Sequence, residues 1–145
     1  MNRDGTRALS VIELVVVVGI AGIIAVMSLV STERTAVFQL DSDTRKIAGD
    51  LCWAREMAVS LHDDFIVVFD SVNENYTIYK GSIVPTAMRK RQQLKIDIVS
   101  VISAPEQITF YFPTGSAQTK QISLGYRGRT STIDVFGETG YVKIQ

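Results

Sequence analysis

Residues 9–30, LSVIELVVVVGIAGIIAVMSLV, are apolar almost throughout, and this run limits what the chain can be more than any other feature. At 1.5 Å per helical residue its 22 positions reach roughly 33 Å, about one hydrocarbon thickness. A membrane-spanning helix is the expectation. Ahead of it lies MNRDGTRA, with Arg3, Arg7 and the free amine against Asp4. The positive-inside rule keeps that end cytoplasmic and sends the C-terminal residues outward. A secretory signal peptide shares the basic start and the apolar run. Here, however, the run exceeds the usual apolar core of such a peptide, no A-x-A-like site follows it, and the chain beyond residue 30 stays helix-compatible. One residue does not belong in the run, and that is Glu13. A carboxylate in a spanning segment costs about 2.5–3.5 kcal/mol at the membrane centre, less near the interface, and by default marks a functional position with a partner. The plainer reading is a carboxylate resting at headgroup level.

The chain of 145 residues holds one anchor and one small folded head. With 15 basic and 15 acidic residues, net charge gives no general electrostatic case for a nucleic-acid or acidic partner. Cys52 is the only cysteine, so no intramolecular disulfide forms.

Past the anchor, Val37, Leu40, Thr44, Ile47, Leu51, Ala54, Ala58 and Leu61 recur at spacings of three and four, which predicts one face of an amphipathic helix. Glu33, Arg34, Asp41, Arg45, Asp50 and Glu56 are assigned to the opposite face. Gly49 costs this helix about 1 kcal/mol without breaking it, and His62-Asp63-Asp64 is the expected terminus. A helix over 9–61 would be roughly 80 Å long.

From Phe65 the pattern turns extended. Residues 65–69, 76–80, 94–101, 108–112, 121–126, 132–136 and 141–144 are β-branched or aromatic runs of strand length. Turn signals separate them, at Asn73-Glu-Asn75, Ala104-Pro105, Pro113-Thr-Gly115, Arg127-Gly128 and Gly137-Glu-Thr-Gly140. The expected class is α+β, with a long N-terminal helix packed on a mostly antiparallel head of seven strands. Its divisions are a leader at 1–8, a transmembrane segment at 9–30, and a head at 31–145 comprising a helical arm (31–61) and β residues (65–145).

The segment Ala8-Leu-Ser-Val-Ile-Glu13-Leu-Val-Val-Val-Val resembles the type IV prepilin processing motif. The resemblance implies cleavage by a prepilin peptidase between Ala8 and Leu9, N-methylation of Leu9, and Glu13 as fifth mature residue. In such proteins the glutamate is thought to neutralise the N-terminal amine of a neighbouring subunit during assembly. Paired in that way, the two charges solve each other's burial problem. Ala8 stands where glycine is usual, Leu9 where phenylalanine is commoner, and Val30 where many major pilins carry proline. Cutting after Gly5 loses the glutamate register.

Further along, Arg45-Lys-Ile-Ala-Gly-Asp-Leu51-Cys-Trp-Ala-Arg55-Glu-Met-Ala58 is similar to the end of the long helix in the GspH/FimT group of minor pseudopilins and minor pilins. Ile108-Thr-Phe-Tyr-Phe-Pro-Thr-Gly115, Ile133-Asp-Val-Phe-Gly137 and Gly140-Tyr-Val-Lys-Ile144 resemble that group's C-terminal half. The resemblance covers nearly the whole chain and implies a pilin-like fold. It further implies a minor pseudopilin of a type II protein secretion system, assembled into or capping a periplasmic pseudopilus. The implied partners are other pilins or pseudopilins, the prepilin peptidase, an inner-membrane assembly platform and membrane lipid. The implied location is the inner membrane, single-pass, with the N-terminus cytoplasmic and the head periplasmic. The alternative is a FimT-like minor pilin of a type IV pilus that binds DNA during uptake.

Catalysis is not expected. His62 is the only histidine and falls at a helix end, so the usual zinc ligand sets are missing. No phosphate loop or nucleophile elbow is present, and the pairs Asp63-Asp64 and Asp41/Asp43 lack a loop of alternating Ca²⁺ ligands. No cofactor and no metal are therefore called for. Arg89, Lys90, Arg91 and Lys95, and separately Lys120, Arg127 and Arg129, are assigned to loops, where convergence would let them contact phosphates. A solvated tip or a subunit contact is the plainer reading of the same charges. Arg55 is expected to snorkel and pair locally with Asp50 or Glu56, and Trp53 to pack helix against sheet.

Overall fold

The computed structural model describes the backbone of residues 10–102 and 105–145, and the side chains of these except 28–36 and 102. One long helix, α1 (Val11–Leu61), spans 51 residues, and the chain divides into two compact units at 1–35 and 36–145. In the first unit α1 is apolar from Val11 to Met27 except at Glu13, and its large side chains there are exposed. Among the described residues no helix is long and apolar enough to cross a membrane. The described side chains of the apolar run stop at Met27, short of the ~20 residues a span needs.

In the second unit α1 buries the expected stripe. Leu40, Thr44, Ile47, Leu51, Ala54 and Ala58 are all buried, because spacings of three and four keep them on one face. Val37 and Leu61, at the two ends of that stripe, are exposed instead. The helix stops where expected. His62 takes a left-handed conformation (φ 56°), and the Asp63 N–H reaches back to the Ala58 carbonyl at 3.4 Å, the six-to-one bond of a Schellman cap.

Among the described residues eight strands follow: β1 (Phe65–Asp70), β2 (Asn75–Lys80), β3 (Met88–Gln93), β4 (Asp97–Ile102), β5 (Gln107–Phe110), β6 (Lys120–Tyr126), β7 (Arg129–Phe136) and β8 (Tyr141–Ile144). They form two antiparallel four-stranded sheets, ordered β3-β2-β1-β5 and β4-β6-β7-β8. Strand β1 shows the simplest logic: Phe65, Val67 and Phe69 face the core and alternate with half-buried residues. Inward residues of both sheets, with Ile96 just before β4, share one cluster with the α1 stripe, including Tyr76, Ile78, Ile108, Phe110, Ile122, Leu124, Ile133 and Val135. Trp53 packs edge-on against Phe65 with ring centroids 6.0 Å apart, as its helix-to-sheet assignment requires.

Of the expected turns, Arg127-Gly128 is the tightest. Both residues have positive φ (49° and 77°), the two-residue type I′ geometry whose twist suits an antiparallel pair. The Ala104 turn lies partly outside the described residues. Strand β3 corrects the expectation of seven strands: Met88-Arg-Lys-Arg-Gln-Gln93 has no apolar alternation, yet it pairs with β2 along the sheet edge. An edge strand needs backbone pairing on one side only, and cationic side chains are a common way to keep its free side from further pairing.

Candidate assembly site and the basic residues of the head

Glu13 sits in the first turn of α1, where the Ser10 carbonyl accepts the N–H groups of Glu13 (2.9 Å) and Leu14 (3.1 Å). A carboxylate in that turn meets the positive end of the helix dipole and unsatisfied N–H groups. Its neighbours Val11, Ile12 and Leu14 are large, apolar and exposed. Between Val11 and Met27, Glu13 is the single charged residue on an otherwise apolar stretch of α1. The Ser10-Val-Ile-Glu13 spacing is also that of a capping box, a local reason for this glutamate that the hydropathy of the run obscures. Ala8 and Leu9 lie outside the described residues.

The basic residues are divided by the topology. Arg89, Lys90 and Arg91 lie on β3, at one edge of the first sheet, and not in a loop. Arg127 and Arg129 belong to the β6–β7 hairpin of the second sheet, and Lys95 precedes β4. Arg89, Arg91, Lys95, Arg127 and Arg129 are exposed. Arg91, Arg127 and Arg129 have local company. Arg91 lies close enough to Asp70 to help hold its carboxyl below the usual range, after the larger effect of hydrogen bonds from Asn73. Arg127 stacks over Tyr126 at 5.5 Å, and Arg129 shares a hollow with Asp41. Lys120 is buried, its ammonium donating to the Pro105 carbonyl at 3.2 Å, which removes it from the exposed basic set.

Lys90 points the other way, toward α1. Its ammonium donates to Asp50 Oδ1 at 2.5 Å, and the Tyr76 hydroxyl donates to Asp50 Oδ2 at 2.6 Å. Asp50 is thus buried, not on the solvent face assigned to it. The spacing carried the signal: Asp50 stands three after Ile47 and four before Ala54, at the margin of the apolar stripe. Asp43, one heptad earlier, repeats the device by accepting the Lys95 N–H at 3.2 Å and the Gln39 amide at 3.1 Å. Two buried aspartates of α1 hence hold the segments around β3 and β4. Burial and the Asp50 carboxylate push the Tyr76 hydroxyl far above its ordinary pKa.

With Asp50 occupied, Arg55 does not pair with it. The Arg55 stem instead packs beneath the turns at Gly115 and Gly140, and its buried Nε has no hydrogen-bond partner. Partial burial and the nearby Glu56 carboxylate raise the Cys52 pKa against the pull of Arg55, which leaves a poor nucleophile. Asp63 and Asp64 are engaged locally, with Lys80 (3.7 Å) and with the Phe112 N–H (2.9 Å) respectively. Among the described residues no three metal-ligating side chains come together.

A long helix ending on two antiparallel sheets is the α+β fold of the GspH/FimT-like minor pseudopilins and minor pilins. The chain is similar to the type IV minor pilin FimU of Pseudomonas aeruginosa, with a TM-score of 0.62 and 17% identity, covering 79% of this chain and 91% of that one. It is also similar to the minor pseudopilin EpsH from the Type 2 Secretion System of Vibrio cholerae, with a TM-score of 0.59 and 14% identity, covering 74% of this chain and 96% of that one. No family model and no curated protein matches the sequence.

Proposed function

We propose that this chain is a minor pseudopilin of a type II secretion system, a structural subunit and not an enzyme. Residues 9–30 anchor it in the inner membrane with the head in the periplasm. The leader 1–8 is removed by a prepilin peptidase between Ala8 and Leu9, Leu9 is methylated, and an inner-membrane platform inserts the subunit among other pseudopilins. The observation that carries this reading is Glu13, a carboxylate in the first helical turn among exposed apolar side chains. In lipid it calls for a cationic partner, and the amine of a neighbour's Leu9 supplies one. The likeness to EpsH supports the secretion system.

The likeness to FimU supports a second reading, a minor pilin of a type IV pilus. In its DNA-binding form the contacts are Arg89, Arg91, Lys95, Arg127 and Arg129, with Lys90 contributing less because Asp50 already neutralises it. Retardation of DNA by the head, lost as salt rises, is the outcome that favours it.

Glu13→Ala tests the common core of both readings. Membrane insertion stays intact, while incorporation into sheared filaments, read by immunoblot, falls at least tenfold. Normal incorporation of this variant removes the pairing argument. Mass spectrometry of the mature N-terminus checks the cut, which a chain starting at Met1 contradicts.

A further inference from the structure

Within the head, the exposed face of α1 changes from apolar to polar at one level. Val37 and Phe38 are 43% and 73% exposed, whereas Asp41, Ser42, Arg45 and Gly49, which follow Phe38 at helical spacing, are exposed and bring no large apolar group. The boundary therefore runs across the helix axis and not along it. A neighbouring helix would need a stripe that continues at spacings of three and four, while a membrane surface meets a helix at a single level. Phe38 stands eight residues after Val30, the end of the apolar run, or roughly 12 Å further along a helix. Helical side chains lean toward the N-terminus, which returns the ring toward a headgroup layer about 5–8 Å deep.

The sheets bring matching groups to that end of the head. Arg129 shares a hollow with Val37, Leu40 and Asp41, and the two-residue turn holds Arg127 close to it. Lys95 is tied to α1 through its N–H on Asp43. The β1–β2 turn joins the same end, because the Leu94 N–H donates to the Glu74 carbonyl at 2.9 Å. Val72 on that turn is 88% exposed, more than any other large apolar side chain described. Most carboxylates nearby are engaged: Asp41 by Arg45 at 3.0 Å, Glu74 by the Ile98 N–H at 2.6 Å, Asp70 by its own turn and Glu106 by Ser71. Asp97 alone stays exposed beside Lys95, Arg127 and Arg129 without such a bond. Isolated apolar side chains next to free cations are the chemistry of an interfacial membrane contact, with arginine suited to the lipid phosphate.

We propose that Phe38 and Val72 seat among the phospholipid headgroups of the membrane that anchors the chain, with Arg127 and Arg129 donating to lipid phosphates, so that the head rests on the membrane surface before assembly. This rests on the membrane-anchor reading of residues 9–30 above and adds the surface by which the head itself meets lipid. The tether favours that occupant, since α1 runs unbroken from the apolar segment to Phe38 and keeps the lipid surface always within reach.

Quenching by brominated lipid tests it, with the full-length chain in vesicles of phosphatidylethanolamine and phosphatidylglycerol. In a Trp53→Phe background, one tryptophan is placed by Phe38→Trp, by Val72→Trp or, as the control, by Tyr141→Trp. Tyr141 is 57% exposed and follows the Gly140 turn on Arg55, roughly 26 Å along α1 from Phe38. Lipid brominated near the headgroup is expected to quench positions 38 and 72 about threefold more than position 141. Quenching at either position no greater than at 141 overturns the membrane contact. Resistance to alkaline extraction reads the anchor separately. A chain that resists extraction but shows no quenching sinks this inference alone, whereas a chain that is extracted sinks the anchor reading and this inference with it. Arg127→Gln combined with Arg129→Gln is expected to lower the quenching about twofold at an unchanged melting temperature. Unchanged quenching in that variant overturns the phosphate contact, and a loss of DNA retardation alongside it assigns the two arginines to nucleic acid.

Discussion

Asp50 shows how one residue links the helix to the edge strand β3 and to its neighbour β2 in the first sheet. Its carboxylate satisfies the Tyr76 hydroxyl and the Lys90 ammonium together, so truncation leaves a buried hydroxyl without an acceptor and a half-buried cation without a counterion. Asp50→Ala is expected to lower head stability by about 2 kcal/mol, read from urea unfolding, with Lys90 recovering part of its loss by turning into solvent. Tyr76 gives the contact a pH signature. Its folded pKa is raised above the unfolded value near 10, so the stabilisation is complete below about pH 10 and fades as pH rises further, when the unfolded chain releases the phenolic proton first. The wild-type head should lose stability steeply above about pH 10, and Tyr76→Phe should flatten that slope while costing about 1 kcal/mol at neutral pH. A slope unchanged by the substitution assigns the alkaline transition to another group.

At the scale of elements, the glycine turns over Arg55 matter more than their sequence words imply. Gly140 has φ 62°, and a Cβ there would collide with the Gly115 carbonyl, which cannot yield without moving its own turn. Gly128 has φ 77° but open space around it. Gly140→Ala is therefore expected to cost about 3 kcal/mol and Gly128→Ala about 1 kcal/mol in thermal or denaturant unfolding. Equal costs would mean that backbone strain alone, and not the seat on Gly115, sets the demand for glycine. Elements also differ in how plainly the sequence announces them. Helix α1 and strands β1 and β7 follow from 3.6- and 2-residue periodicity, because each buries one apolar face. Strand β3 escapes that test: after Met88 its side chains are polar or cationic, and its partner strand holds it through backbone bonds that no side-chain pattern encodes.

For the whole molecule, the division at residues 35 and 36 separates an apolar helical segment from a unit with its own core. Every buried apolar residue of the cluster, from Leu40 to Val135, falls within 36–145. A fragment covering 36–145 is accordingly expected to fold alone, with a single cooperative transition seen equally by circular dichroism and Trp53 fluorescence. Non-coincident transitions would show that the core depends on the preceding helix. Sequence by itself determined the long amphipathic helix, most of the strands, the turns and the isolated Glu13, since each is a local pattern of polarity or backbone preference. Only the tertiary structure decided the pairing of β3, the burial of Asp50 and Lys120, and the separation of the basic residues onto two sheets. Those depend on which surfaces meet across dozens of residues, where a charge finds its partner through the fold and not through its neighbours in the chain.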